Sequence, residues 1–235
     1  MSATLPRDDA AHVLERLRGG LIVSVQAEPD SLLRSPETIA LLSRVAVANG
    51  AMGIRAEGSA RLGAVRRAVD VPIIGIVKRS YDGFAPYITA SDREIAEVCA
   101  SGAEIVAFDA TVRERPDGRD VAGVVAAIHK RGRIAMADCA TEEDVHRAAA
   151  AKADIVATTL CGHTDDTRGE WLPAFDLVRT CAASGAFAIC EGWIGTSHDV
   201  RRAFEVGANA VVVGTAITDV DRLVRRFAAA TPRAG

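Results

Sequence analysis

The chain has 235 residues, of which 49% are hydrophobic, 25% charged and 4% aromatic, with a formal net charge of −3. That length buries enough surface to hold a core without metals or disulfides, and the composition is too apolar for a disordered chain. The near-balanced charge, the few aromatics and the lack of a basic tract argue against nucleic acid and anionic membrane as partners, and the apolar runs fall far short of the roughly 18 residues of a membrane span.

The first stretch, MSATLPRDDAAHVLERL, is charged and has no leader-like apolar segment; it is expected to form an extra helix over about residues 8–18 that closes the bottom of the domain. From there one unit recurs: a short aliphatic run, a polar loop, then an amphipathic helix. The runs begin near Leu21, Met52, Ile73, Ile105, Ile134, Ile155, Phe187 and Ala210. They lie about 27 residues apart, close to the roughly 250/8 of an eight-stranded β/α barrel. VPIIGIV, EIVAF, DIVAT and AVVVG are nearly continuous aliphatic, the pattern of parallel strands covered on both faces. Ser35-Pro36-Glu37, Ser91-Asp92-Arg93-Glu94 and Thr141-Glu142-Glu143-Asp144 read as helix starts. Gly50, Gly102, Gly132, Gly185 and Gly207 read as helix stops in left-handed backbone. No linker divides the chain, so residues 1–235 are expected to form one α/β domain, a (β/α)8 TIM barrel with an added N-terminal helix. An open doubly wound sheet is the alternative, disfavoured by eight similar units and no GxGxxG.

Barrel sites lie at the carboxyl ends of the strands, and the residues just past each aliphatic run form a polar set. They are Ser24 and Gln26; Arg55; Lys78 and Arg79; Asp109 and Thr111; Asp138; Thr158 and Thr159; Glu191; and Gly214 and Thr215. Arg79, Asp109 and the threonines also suit solvated or loop-tying roles. Lys78 ends a strand that carries no acid, so its partner must come from elsewhere; Asp138 and Glu191 are the candidates. A lysine against a low-dielectric wall favours its neutral form, which a general base or a Schiff-base amine requires. The loops after strands seven and eight, with Gly192, Gly214, Thr215 and a helix start expected near Thr218, suit a phosphate. Gly162-His163-Thr164, in the strand-six loop, is placed to touch a ligand or simply to face solvent.

No metal is expected, because His12, His129, His146, His163 and His198 are scattered and no HExxH occurs. The five cysteines, at 99, 139, 161, 181 and 190, form no CxxC pair; an odd count without a leader predicts reduced thiols in the cytoplasm.

The segments GLIVSVQA, GIRAEG, PIIGIVKR, YITAS, FDATVRERP, GRIAMADCAT, DIVATTLCGHT, ICEGWI and AVVVGTAIT, in this order and spacing, resemble the N-acetylmannosamine-6-phosphate 2-epimerase family over about Gly20 to Phe227. The resemblance implies a cofactor-independent (β/α)8 isomerase of sialic acid catabolism that interconverts N-acetylmannosamine 6-phosphate and N-acetylglucosamine 6-phosphate. It implies Lys78 as catalytic lysine, Glu191 as acid, and Gln26, Arg55 and Asp138 as binding or supporting residues, with Thr159 and Gly162 beside them. Two positions depart from the family pattern: Trp193 stands where a polar residue is usual, and Asp219 where an arginine is expected to meet the phosphate. Arg222, three residues on along the same helix face, is the expected replacement. A homodimer is expected.

C2 of a closed pyranose is not acidic; ring opening places its proton α to an aldehyde. Lys78 would then remove it, Arg55 and Gln26 would stabilise the oxyanion, and Glu191, four strands away, would serve the other face, with Asp138 orienting Lys78. Lys78 alone serving both faces, with Glu191 assisting ring opening, is the other possibility. A Schiff-base lyase acting on a sugar phosphate and a non-catalytic paralogue remain as alternatives.

Overall fold

The computed structural model describes residues 7–232. Eight parallel strands close into a barrel in chain order, the last pairing with the first. They are β1 Leu21–Val25, β2 Gly53–Glu57, β3 Ile73–Ile76, β4 Ile105–Asp109, β5 Ile134–Asp138, β6 Ile155–Ala157, β7 Phe187–Glu191 and β8 Ala210–Val213. Seven of the eight expected starts coincide with the observed ones; β2 begins one residue later, at Gly53, where a Cβ would strike Leu17 Cδ2 at 2.6 Å. Outside lie α2 Pro36–Ala48, α3 Ser59–Ala68, α4 Asp92–Ala100, α5 Val121–Lys130, α6 Glu142–Ala150, α7 Phe175–Ala183 and α8 Ser197–Glu205, then the short α9 Thr215–Thr218 and α10 Val220–Ala228.

The local signals explain where these helices begin. Ser35 caps α2, its hydroxyl accepting from Thr38 N at 3.1 Å with Pro36 in the first turn. Thr141 and Asp144 form a reciprocal capping box on α6. The five glycines past helix ends all take left-handed φ, from 64° at Gly132 to 107° at Gly207. The phosphate-loop helix does not start near Thr218, as the sequence suggested. Gly214 turns the chain directly into α9 at Thr215, and Asp219 caps a separate α10 by accepting from Arg222 N at 3.0 Å.

Alternation along the strands sorts side chains into two layers. Val23, Ile54, Ala56, Val106, Phe108, Ala135, Ala137 and Val156 face the helices. Ile22, Ile74, Ile76, Ile105, Ala107, Ile134, Met136, Ile155, Phe187, Ile189 and Val212 fill the barrel. The helix α1, Arg7–Leu17, adds Val13 and Leu17 to that interior cluster, sealing its lower end. At the upper end the inward positions turn polar: Ser24, Arg55, Asp109, Asp138 and Glu191. Stability and chemistry therefore occupy opposite ends of one stack of side chains.

Leu17→Ala removes a fully buried plug and is expected to cost about 2–5 kcal/mol in urea unfolding, with kcat unchanged.

Candidate active site

Arg55 is the hub of the polar layer. Only 1% exposed, it lies across the barrel from its own strand. Its Nη1 and Nη2 donate to Asp138 Oδ1 and Oδ2 at 3.0 and 2.6 Å, a bidentate pair, and Nη1 also donates to Glu191 Oε2 at 2.7 Å. Thr159 Oγ1 joins the two acids, donating to Asp138 Oδ1 at 2.7 Å and reaching Glu191 Oε2 at 3.2 Å. Thr158 fixes the backbone of Glu191, its hydroxyl donating to Glu191 O at 2.8 Å.

One cation thus faces two buried carboxylates. Burial opposes the charge on Arg55, but Asp138 and Glu191 outweigh it and raise its pKa. Asp138 takes the two-pronged contact. Glu191 has one shared prong, so burial dominates and, with Asp138 adding repulsion against the pull of Arg55, pushes its carboxyl up to about 7. Lys78 stands across the cavity just past β3, its backbone held by an antiparallel bridge to Ile88. Its side chain opens onto the cavity yet is crowded by the wall; burial and then the Arg55 cation lower its pKa, with Glu57, Glu191 and Asp138 pulling the other way.

These groups surround a cavity of about 500 Å³ at the carboxyl end of the barrel. Of the residues singled out in the sequence, Lys78, Glu191, Gln26, Arg55, Thr159, Gly192, Gly214, Thr215 and Arg222 line it. Asp138 lies beneath the wall and is tied to Arg55 rather than Lys78, so its orienting partner differs from the one expected. Gly162 is outside the lining. With φ at 81°, it donates its N–H to Thr167 Oγ1 at 2.9 Å, and a Cβ there would strike Leu172 Cδ1 at 2.6 Å. Its neighbour His163, which the sequence left between ligand and solvent, does line the cavity. Arg79 turns away to Glu94 and Glu97, and Asp109 is occupied by Thr111 and Arg113. All five cysteines are buried and free of disulfides, with Cys181 and Cys190 pushed up to about 12 by burial.

Three further cavity residues are given no role by the sequence, Tyr87 entering only as the first residue of the YITAS segment. Tyr87 comes from the hairpin loop after Lys78, and burial, then Asp109 and Asp138, raise its phenol pKa. Arg34 has no carboxylate within ion-pair reach among the described residues, whereas Arg222 lies 3.7 Å from Glu28 and 3.5 Å from Asp219. Glu28 stands at the rim. All three sit on loops, where no strand periodicity marks the direction of a side chain. Among the described residues no three His, Cys, Asp or Glu side chains gather as a metal ion requires.

Arg55→Ala leaves two buried carboxylates without their cation and is expected to cost about 3–5 kcal/mol at pH 7. Without Arg55 the Glu191 carboxyl, already raised by burial, binds its proton still more tightly in the fold than unfolded, so acid relieves the variant. Urea midpoints of variant and native protein should converge between pH 7 and pH 5.

A family described as "Putative N-acetylmannosamine-6-phosphate epimerase" matches residues 39–233. A Synechococcus elongatus protein named as a putative N-acetylmannosamine-6-phosphate 2-epimerase is 44% identical over 226 residues, 94% of this chain and 97% of that one. The bifunctional enzyme NanE/NanK of Brucella melitensis is 40% identical over 92% of this chain, which spans 41% of that protein. Among solved structures, the N-acetylmannosamine-6-phosphate 2-epimerase from Clostridium perfringens superposes with a TM-score of 0.89 at 37% identity, covering 92% of this chain and 95% of its own. A thiamine phosphate pyrophosphorylase from Pyrococcus furiosus, TM-score 0.58 at 15% identity, covers 89% of this chain and 93% of its own and shares the fold alone. With the family matched over residues 39–233, and 94% of its length aligned to a relative at 44% identity, this chain belongs to the N-acetylmannosamine-6-phosphate epimerase family.

Proposed function

We propose that the protein interconverts N-acetylmannosamine 6-phosphate and N-acetylglucosamine 6-phosphate by moving the C2 proton of the open-chain sugar. The observation that carries this reading is the pair Lys78 and Glu191. They stand on loops or strands four apart in an eight-strand ring, face one cavity from opposite walls, and have pKa values displaced toward each other. Two-base epimerisation requires one group deprotonated and its opposite protonated.

Neutral Lys78 takes the C2 proton, and the C–H electron pair becomes an enolate conjugated to the C1 carbonyl. Protonated Glu191 returns a proton to the opposite face. The enzyme ends with charged Lys78 and ionised Glu191, the form that runs the reverse reaction. Arg55 holds Glu191 in place and supplies positive potential to the enolate. Asp138 and Thr159 fix Arg55 and Glu191, and so act as positioning residues. Gln26 Nε2 donates to Ser24 Oγ at 2.9 Å while its Oε1 has no partner among the described residues. An acceptor left unmet beside the cavity complements the acetamido N–H of the substrate.

The phosphate belongs at the mouth, where Gly192, Gly214, Thr215, Arg222 and Arg34 line the cavity. Asp219 does not repel the substrate unopposed, because it is engaged as the cap of α10 and as a partner of Arg222. A homodimer, a cytoplasmic location and a role in sialic acid catabolism belong to the same proposal; the exposed apolar row Val220, Val224 and Phe227 on α10 supports the first.

Lys78→Ala is expected to lower epimerisation by about 100- to 10,000-fold while the melting temperature holds; native turnover in a folded variant would overturn the assignment. The kcat profile of the native enzyme should show a limb near pH 7 from Glu191. Glu191→Gln should abolish both the limb and epimerisation, while the epimer whose C2 proton faces Lys78 still exchanges that proton in deuterated water. A charge-assisted phosphate contact contributes about 1.5–3 kcal/mol. Arg222→Ala or Arg34→Ala should therefore lower kcat/KM for the phosphorylated sugar by about 10- to 150-fold, the latter more because its charge is unshared. The unphosphorylated sugar should be nearly unaffected; equal losses for both sugars would remove these residues from phosphate binding.

A further inference from the structure

Chemistry at C2 begins from an open chain, and Lys78 and Glu191 are both committed to C2. Opening the pyranose moves a different proton, from O1 to O5, and calls for a separate group that accepts and returns a proton near neutrality. His163 lines the same cavity, and neither ring nitrogen has a hydrogen-bond partner among the described residues.

Several features hold this side chain in place. The imidazole stacks on Trp193, with ring centroids 5.5 Å apart and planes inclined by 20°. Both flanking residues are tied to the buried Thr167: Gly162 donates its N–H to Thr167 Oγ1 at 2.9 Å, and the Thr164 and Thr167 hydroxyls lie 2.8 Å apart. The backbone N–H of His163 donates to Leu160 O at 2.9 Å. Trp193 sits at a φ of 62°, a left-handed conformation that is strained for a side-chain-bearing residue. Such strain persists only where the surroundings over-determine it, and here its product is the stack under His163. Burial, then Arg222 and Lys78, lower the imidazole pKa and keep the ring neutral. Arg222 stands at the proposed phosphate end and Lys78 at the proposed C2 end, so His163 faces the stretch of sugar between them.

We propose that His163 is a further catalytic residue, which opens the sugar ring before Lys78 acts; the proposal rests on the epimerase reading above. A free imidazole nitrogen accepts the O1 proton as the C1–O1 bond becomes double and the C1–O5 bond breaks. The released electron pair stays on O5, which takes the proton back from the imidazolium. The imidazole ends as it began, and no oxidant, reductant or co-reactant enters.

The test separates ring opening from C2 chemistry. Lys78→Ala cannot complete epimerisation, yet should still accelerate exchange between the α and β anomers of N-acetylglucosamine 6-phosphate, read by saturation-transfer NMR. Adding His163→Gln in that background should lower the enzyme-dependent exchange by about 100-fold or more, with the melting temperature unchanged. Trp193→Ala should lower it in part and Trp193→Phe restore it, since stacking alone is required. Undiminished exchange in the Lys78→Ala/His163→Gln protein overturns the proposal, as does a Lys78→Ala protein with no exchange above the spontaneous rate. Native protein that exchanges anomers but never the C2 proton breaks the epimerase reading and leaves ring opening at His163 standing.

Discussion

One guanidinium shared by two carboxylates organises the upper end of this barrel. Arg55 reaches across from β2 to grip Asp138 on β5 and Glu191 on β7, so three strands that do not pair with one another are joined by charge. The count matters more than any single contact. A single cation cannot fully satisfy two buried anions, and the acid with the poorer contact, Glu191, becomes the weaker acid. The same imbalance that makes the layer intolerant of losing Arg55 gives Glu191 its intermediate acidity.

Hydrophobic layering makes that arrangement possible. Inward positions on successive strands are aliphatic up to one level and polar above it. The polar groups therefore inherit rigid backbones without supplying the burial that stabilises them. The loops do the finer shaping: the hairpin that bridges Lys78 to Ile88 and the braced segment around His163 close over the cavity from two sides.

Much of this is legible in the sequence, for physical reasons that differ by element. Strand starts are readable because fully covered parallel strands are almost purely aliphatic, and the residue that ends such a run tends to face the barrel mouth; Arg55 and Glu191 stand out that way. Pairing is not readable. Proximity in strand order matches Asp138 with Lys78, but alternation and reach give it to Arg55, a choice that depends on side-chain length across the barrel. Asp219 looks like a charge misplaced in a phosphate loop, whereas it caps α10, a role fixed by a helix boundary that the sequence alone misplaces. Arg34 escapes notice, Tyr87 enters only within the YITAS segment with no role, and His163 stays ambiguous, because their loops carry no period from which direction can be inferred.

Closure of the sheet by β1 against β8 has a consequence for the nascent chain. The hydrogen-bonding edge of β1 has its permanent neighbour only after the other seven strands exist, on the order of ten to forty seconds later at typical synthesis rates. The rim clasps of Ser31 with Asp221 and Glu28 with Arg225 bridge 190 and 197 residues and form later still. Until then a strand of five aliphatic and small residues presents an unpaired edge. The pocket, whose wall draws on both chain halves, is thus assembled at the end of biogenesis, and for most of its synthesis the polypeptide must avoid association with its neighbours on the ribosome.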